Sequence, residues 1–117
     1  MHFSYLSASP ATIRFKVVRI LEGEPCCELN KEELNGFTEL IDAFPVADRE
    51  LEDTLKRFPR DYYDLFVKPA VFTLDKDRSA KLIKLIEEKC RIDLSERAAK
   101  IRYMGKLYRI GFEFPCG

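Results

Sequence analysis

Two stretches of two-residue alternation lie near opposite ends of this 117-residue chain, and between them the apolar residues recur with helical spacing. Near the start, Ile13, Phe15 and Val17 alternate with Arg14 and Lys16. Near the end, Tyr108, Ile110, Phe112 and Phe114 alternate with Arg109, Gly111 and Glu113. Alternation sends successive side chains to opposite faces of a strand, so each stretch has one face to bury. Strands kept apart in sequence by amphipathic helices imply an α+β fold. The expected architecture is a small antiparallel or mixed sheet of three to five strands, with three helices packed mainly on one face. A chain of this length has enough interior for one such core, so residues 1–117 read as a single domain.

Local signals divide the chain further. The first strand should run from Thr12 to Leu21 and end at Gly23 and Pro25. Its Val17-Val18 doublet implies either a bulge or burial on both faces. Asn30 and Glu33 have the spacing of a capping box, with Leu29 and Leu34 placed as a hydrophobic staple. Leu34, Phe37, Leu40, Ile41 and Phe44 then form one helical stripe, which Pro45 is expected to stop. Asp48 would cap a second, short helix carrying Leu51, Leu55 and Phe58 and closed by Pro59. Asp61 to Leu74 reads as extended, with an edge strand at Val71–Leu74. Asp75 or Asp77 would cap a third helix over about Arg78–Arg91. A hairpin folded at Met104-Gly105 would set Ile101 opposite Tyr108, after a short helical turn at Ser95–Ala99. The competing reading runs a helix from Ser95 through Ile101 and stops it at Gly105.

The chemistry inventory is informative by what it lacks. The one histidine is His2, so histidine-dependent nucleophilic sites are disfavoured. The five glycines fall into neither common phosphate-cradling pattern. Asp75-Lys76-Asp77 opens like a calcium loop, but Ala80 and Ile86 stand where glycine and an acid are needed, so helix capping is the reading. Asp61 and Asp64 flank Tyr62-Tyr63 and are expected to be solvated. Met1 to Pro10 lacks the basic start of a secretory signal, Cys116 is not placed for prenylation, and no apolar run is long enough for a membrane helix. A cytoplasmic, reducing setting follows, in which Cys26, Cys27, Cys90 and Cys116 are free thiols. With one adjacent pair and no spacer, the cysteines do not suggest a metal site, and no cofactor is implied. The balance points away from an enzyme. The catalytic reading left uses carboxylates, tyrosines, or Cys26 or Cys27 as a thiol ahead of a helix.

Charge is the unusual signal. The net is zero, yet residues 22–53 carry eleven acids against two bases, while residues 1–21 carry three bases and no acid. Residues 76–117 carry eleven bases against six acids. The first two helices should therefore be acidic, and the third helix and the strands basic. If the first strand and the hairpin share a sheet, Arg14, Lys16, Arg19, Lys100, Arg102 and Arg109 would line its non-core face, with aromatic residues nearby. Such a surface steers charged partners. The run from Lys100 to Ile110, with Arg102 before the glycine turn and Tyr108-Arg109 after it, also resembles the C-terminal hairpin of the RelE/ParE toxin superfamily. That resemblance implies RNA contacts by Arg102 and Arg109. It covers only the hairpin, and the third helix ahead of the hairpin departs from the pattern. The leading expectation is a non-catalytic interaction protein (an adaptor, inhibitor, immunity-type or regulatory domain) that recognises another protein and can self-associate. The alternative is a nucleic-acid-binding domain.

Overall fold

The computed structural model describes residues 12–113. His2, Phe114, Cys116 and the Met1–Pro10 segment lie outside the described residues. The first alternating stretch forms β1 (Thr12–Ile20), followed by a short β2 (Cys27–Leu29). Helix α1 (Thr38–Arg57) comes next, then a 3-10 turn (Arg60–Tyr62) leading into a one-turn helix α2 (Tyr63–Phe66). Strand β3 (Ala70–Asp75), helix α3 (Lys76–Cys90), and the hairpin strands β4 (Ala99–Tyr103) and β5 (Lys106–Glu113) complete the order. The five strands make one mixed sheet in the order β2-β4-β5-β1-β3, in which only the β2–β4 pair is parallel. This is the expected α+β fold. The Met104-Gly105 turn folds the hairpin, with both residues at positive φ (50° and 80°), and Ile101 pairs with Tyr108. A β-branched residue at position 105 would oppose that turn.

The register of β1 against β5 is unbroken from Arg14 opposite Glu113 to Ile20 opposite Leu107, so the Val17-Val18 doublet is not a bulge. Phe15, Val17 and Arg19 therefore share one face, while Arg14, Lys16, Val18 and Ile20 share the other. The first face carries the core. Phe15, Val17, Ile101, Tyr103, Tyr108 and Ile110 pack there with Leu40, Phe44 and Ala47 of α1 and Leu82 and Ile86 of α3. Phe44 stacks on Tyr103 with ring centres 4.2 Å apart and tilts against Tyr108 at 4.5 Å. Both long helices lie on this one side of the sheet.

Two helix boundaries differ from expectation. The capping box is present: Asn30 N–H donates to Glu33 Oε1 at 3.0 Å, and Glu33 N–H donates to Asn30 Oδ1 at 2.8 Å. It closes a turn rather than the long helix, because Asn35-Gly36, a helix-poor pair, interrupts the chain before Thr38. Pro45 does not stop α1, and Asp48 is not a cap; both lie inside one 20-residue helix. A proline in a helix interior costs about 3 kcal/mol. Leu40, Ala43, Phe44, Ala47, Leu51 and Thr54 form a continuous buried stripe across it. Full burial of an aromatic or leucine side chain contributes about 2 kcal/mol apiece, so the stripe outweighs the lost bond.

The remaining connections follow local chemistry. Asp75 caps α3 by accepting from Arg78 N–H at 2.8 Å, the capping role expected for it. At the other end Arg91 takes a left-handed φ of 56°. The turn before β4 is fixed by Asp93, which accepts from both the N–H and the hydroxyl of Ser95, and those bonds hold its carboxyl below the usual range. Ser95 is thus inside the turn rather than its cap, and the strand starts at Ala99. The 60–66 segment, expected to be extended, is helical; Tyr63 Oη accepts from Leu21 N–H at 2.9 Å and ties it to the end of β1.

Candidate functional site

The face of the sheet opposite the helices is built from the alternate residues of the same strands. Cross-strand register puts Arg14, Lys16 and Val18 of β1 beside Arg109 and Gly111 of β5, and Lys100 and Arg102 of β4 beyond them. Among the described residues no helix lies over this face. Five of the six basic residues expected on the non-core face are therefore together there. Arg19 is not: an odd step from Lys16 puts it on the helix side, paired with Tyr108. The aromatic neighbours are not there either. Every aromatic residue of the described strands (Phe15, Phe72, Tyr103, Tyr108 and Phe112) belongs by register to the helix side.

A shallow concavity sits on this open face, lined among others by Lys16, Val18, Arg97, Arg109, Gly111 and Glu113. Gly111 leaves its floor bare; a Cβ there would approach the Ala98 Cβ to 3.4 Å. Arg97 was not singled out by sequence reasoning, because it belongs to the turn before β4 and only the pairing of β4 with β5 brings it beside Arg109. Glu96 also lines this concavity, and Glu28 of β2 stands in register with Arg102 on the same face. Glu113 lies 3.5 Å from Arg14 Nε and 3.3 Å from Lys16 Nζ. All three side chains are about half exposed (46%, 54% and 44%), so water competes for each charge. Lys100, Arg102 and Arg109 are exposed as well. The face thus carries a surplus of cations held loosely.

Arg19 does something different on the covered face. Its Nη1 donates to Asp48 Oδ1 at 3.0 Å, Tyr108 Oη donates to the same oxygen at 2.9 Å, and Lys106 Nζ is 3.2 Å from Oδ2. Burial pushes the Tyr108 phenol far above its ordinary value, and the adjacent Asp48 carboxylate pushes it further. The phenol stays protonated and serves as a donor. An apolar concavity lies alongside, between α1 and the hairpin, lined by Ile41, Phe44, Pro45, Tyr103 and Met104. Two cations and a phenol thus converge on the Asp48 carboxylate. Its chemistry is attachment of α1 to the sheet.

No family model matches the chain, and neither does any curated protein or solved structure. The likeness of the hairpin to RelE/ParE toxins accordingly rests on the Lys100–Ile110 run alone. Asp61 and Asp64 are exposed, as solvated loop acids are, and among the described residues no helix is long and apolar enough to cross a membrane.

The cysteines form a third feature and correct an expectation. Cys27 and Cys90 are joined in a disulfide, so they are not free thiols. β2 puts Cys27 opposite Ile101 on the helix side, where α3 ends with Cys90, and their Cα atoms are 4.8 Å apart. That spacing suits a disulfide. Nothing in the sequence joins residues 63 positions apart; only the fold does. The free-thiol expectation drew on a reducing setting read from the N-terminal segment, and the bond corrects it for Cys27 and Cys90. Among the described residues Cys26 is the free, exposed cysteine.

Proposed function

We propose that this chain is a non-catalytic interaction protein that docks an acidic protein surface on the open face of its sheet. The observation that carries the reading is the cluster of Lys16, Lys100, Arg102 and Arg109 on a face that no described helix covers. Arg14 and Arg97 extend it. Among the described residues these side chains make no ion pairs beyond the weak contacts to Glu113, so an acidic partner gains charge without first breaking a strong network. The nucleic-acid alternative is less well supported by this geometry. Single strands are bound by stacking bases on aromatic side chains between basic ones, and the strand aromatics here face the helices. Self-association through β3, the edge strand among the described residues, where Val71 is exposed, is compatible with the same reading.

A photo-reactive amino acid at position 102, introduced into the protein in its source cells, tests the proposal. The expected product is a protein adduct that disappears when Lys100→Glu and Arg109→Glu are added. A nucleic-acid adduct, or a protein adduct indifferent to those changes, would overturn it.

A further inference from the structure

The disulfide accounts for Cys27 and Cys90 but not for Cys26. Its sulfur and the two bonded sulfurs all lie within 4.8 Å of one another. Three elements hold them there. Cys27 is fixed by the pairing of β2 with β4, and Cys90 by the end of α3. Cys26 is anchored to β4, where its N–H donates to the Lys100 carbonyl at 2.9 Å and its Sγ–H to the same oxygen at 3.2 Å. The cluster opens to solvent through a concavity lined by Glu28, Asn30, Glu33 and Lys89.

We propose that Cys26, Cys27 and Cys90 form a three-thiolate site for a thiophilic d10 cation, typified by zinc(II), when the Cys27–Cys90 bond is reduced. Soft thiolate donors select this class of ion. Zinc–sulfur bonds of about 2.3 Å in a tetrahedron set the sulfurs roughly 3.8 Å apart. The three sulfurs already lie within that neighbourhood, and reduction frees the bonded pair to separate to it. The reductant is a thiol: two thiol molecules deliver two electrons to the disulfide, leaving Cys27 and Cys90 as thiols and the reagent as its own disulfide. Metal binding then displaces three protons, one from each cysteine. The fourth coordination position faces the concavity and takes water. Lys89, paired with Glu33 at 2.8 Å, lies at its rim together with Glu28. Disulfide and metal are mutually exclusive clamps on the same junction between β2 and α3.

The test uses the full chain, reduced with a phosphine that does not bind metal, and titrated with cobalt(II) alone and then zinc(II). The expected result is one cobalt per chain with a thiolate-to-metal charge-transfer band, displaced by zinc. The disulfide form shows no such band. Cys26→Ser and Cys90→Ser each weaken binding by about 100-fold or more. Cys26 is exposed and outside the disulfide, so Cys26→Ser remains informative if Cys90→Ser fails to fold. Absence of the band in the reduced chain would overturn the proposal. So would unchanged binding in Cys26→Ser.

Discussion

Two carboxylates on opposite faces of the same strands each bridge a pair of basic residues. Asp48 meets Arg19 and Lys106 on the covered face; Glu113 meets Arg14 and Lys16 on the open one. Asp48 and Arg19 are only 18% and 21% exposed, against 46% and 54% for Glu113 and Arg14. The difference in burial decides what each cluster does. Beneath α1, Asp48 and Arg19 have lost most of their water and depend on each other, while Lys106 stays about half exposed, so the buried pair fixes the helix to the sheet. On the open face, water remains an equal competitor, so those cations are available to a partner. The covered face is also clamped at α3 by the Cys27–Cys90 bond. Structure is concentrated on one side of the sheet, and hydrated charge on the other.

The contrast can be broken most severely at the clamp. Cys90→Ser opens a disulfide that closes a loop of 63 residues. Chain entropy then predicts a loss of roughly 4 kcal/mol in denaturant unfolding. A loss below about 1 kcal/mol would show that the covered face does not depend on it. Next in size is Asp48→Ala, which leaves Arg19 half-buried without its acceptor and Tyr108 without its own. About 2–3 kcal/mol is expected, because charged hydrogen bonds are involved. Adding Arg19→Met should return part of that loss, giving a double-mutant coupling of about 1 kcal/mol or more; additivity would mean the two residues do not cooperate.

A smaller effect sharpens the comparison through pH. Arg78 of α3 grips Glu39 of α1 with two hydrogen bonds of 2.7 Å each and also donates to the Gly36 carbonyl at 2.8 Å. That grip holds the Glu39 carboxyl down at about 2. A carboxyl depressed in the folded state contributes stability that is complete above its unfolded pKa of about 4.3 and lost as pH falls toward the folded value. Arg78→Ala should therefore flatten the acid limb of the stability curve between about pH 4.3 and pH 2, with less effect at neutral pH than Asp48→Ala because the pair is over a third exposed. An unchanged acid limb would remove this pair from the account. Smallest is the open face: Lys16→Glu or Arg109→Glu should shift stability by no more than about 0.5 kcal/mol, since neither residue supports the core. A larger loss would mean that the open face is structural after all.

Much of this division was readable in the alternating strands. Ile13, Phe15 and Val17 on one side and Arg14 and Lys16 on the other followed from period two, as did the pairing of Ile101 with Tyr108. Arg19 misled because the Val17-Val18 doublet disguises the parity; a basic residue looks like a solvent residue until the register places it beside Tyr108. Pro45 misled because its local cost was weighed without the buried stripe that runs past it, and Asp48 then looked like a cap. The disulfide, the three-sulfur cluster and the position of Arg97 depend on which strands become neighbours. The parallel β2–β4 pair is set by the global topology, not by any local signal.

The central claim is that the open basic face, and not the apolar concavity between α1 and the hairpin, is where this chain meets its partner. Amide chemical-shift mapping of the intact chain, titrated with polyglutamate as the acidic probe, addresses it directly. The account predicts shifts at Lys16, Arg97, Lys100, Arg102, Arg109 and Gly111, weakening with added salt and absent in Lys100→Glu/Arg109→Glu. Shifts confined to Ile41, Phe44, Met104 and their neighbours, or no shifts at low salt, would contradict it.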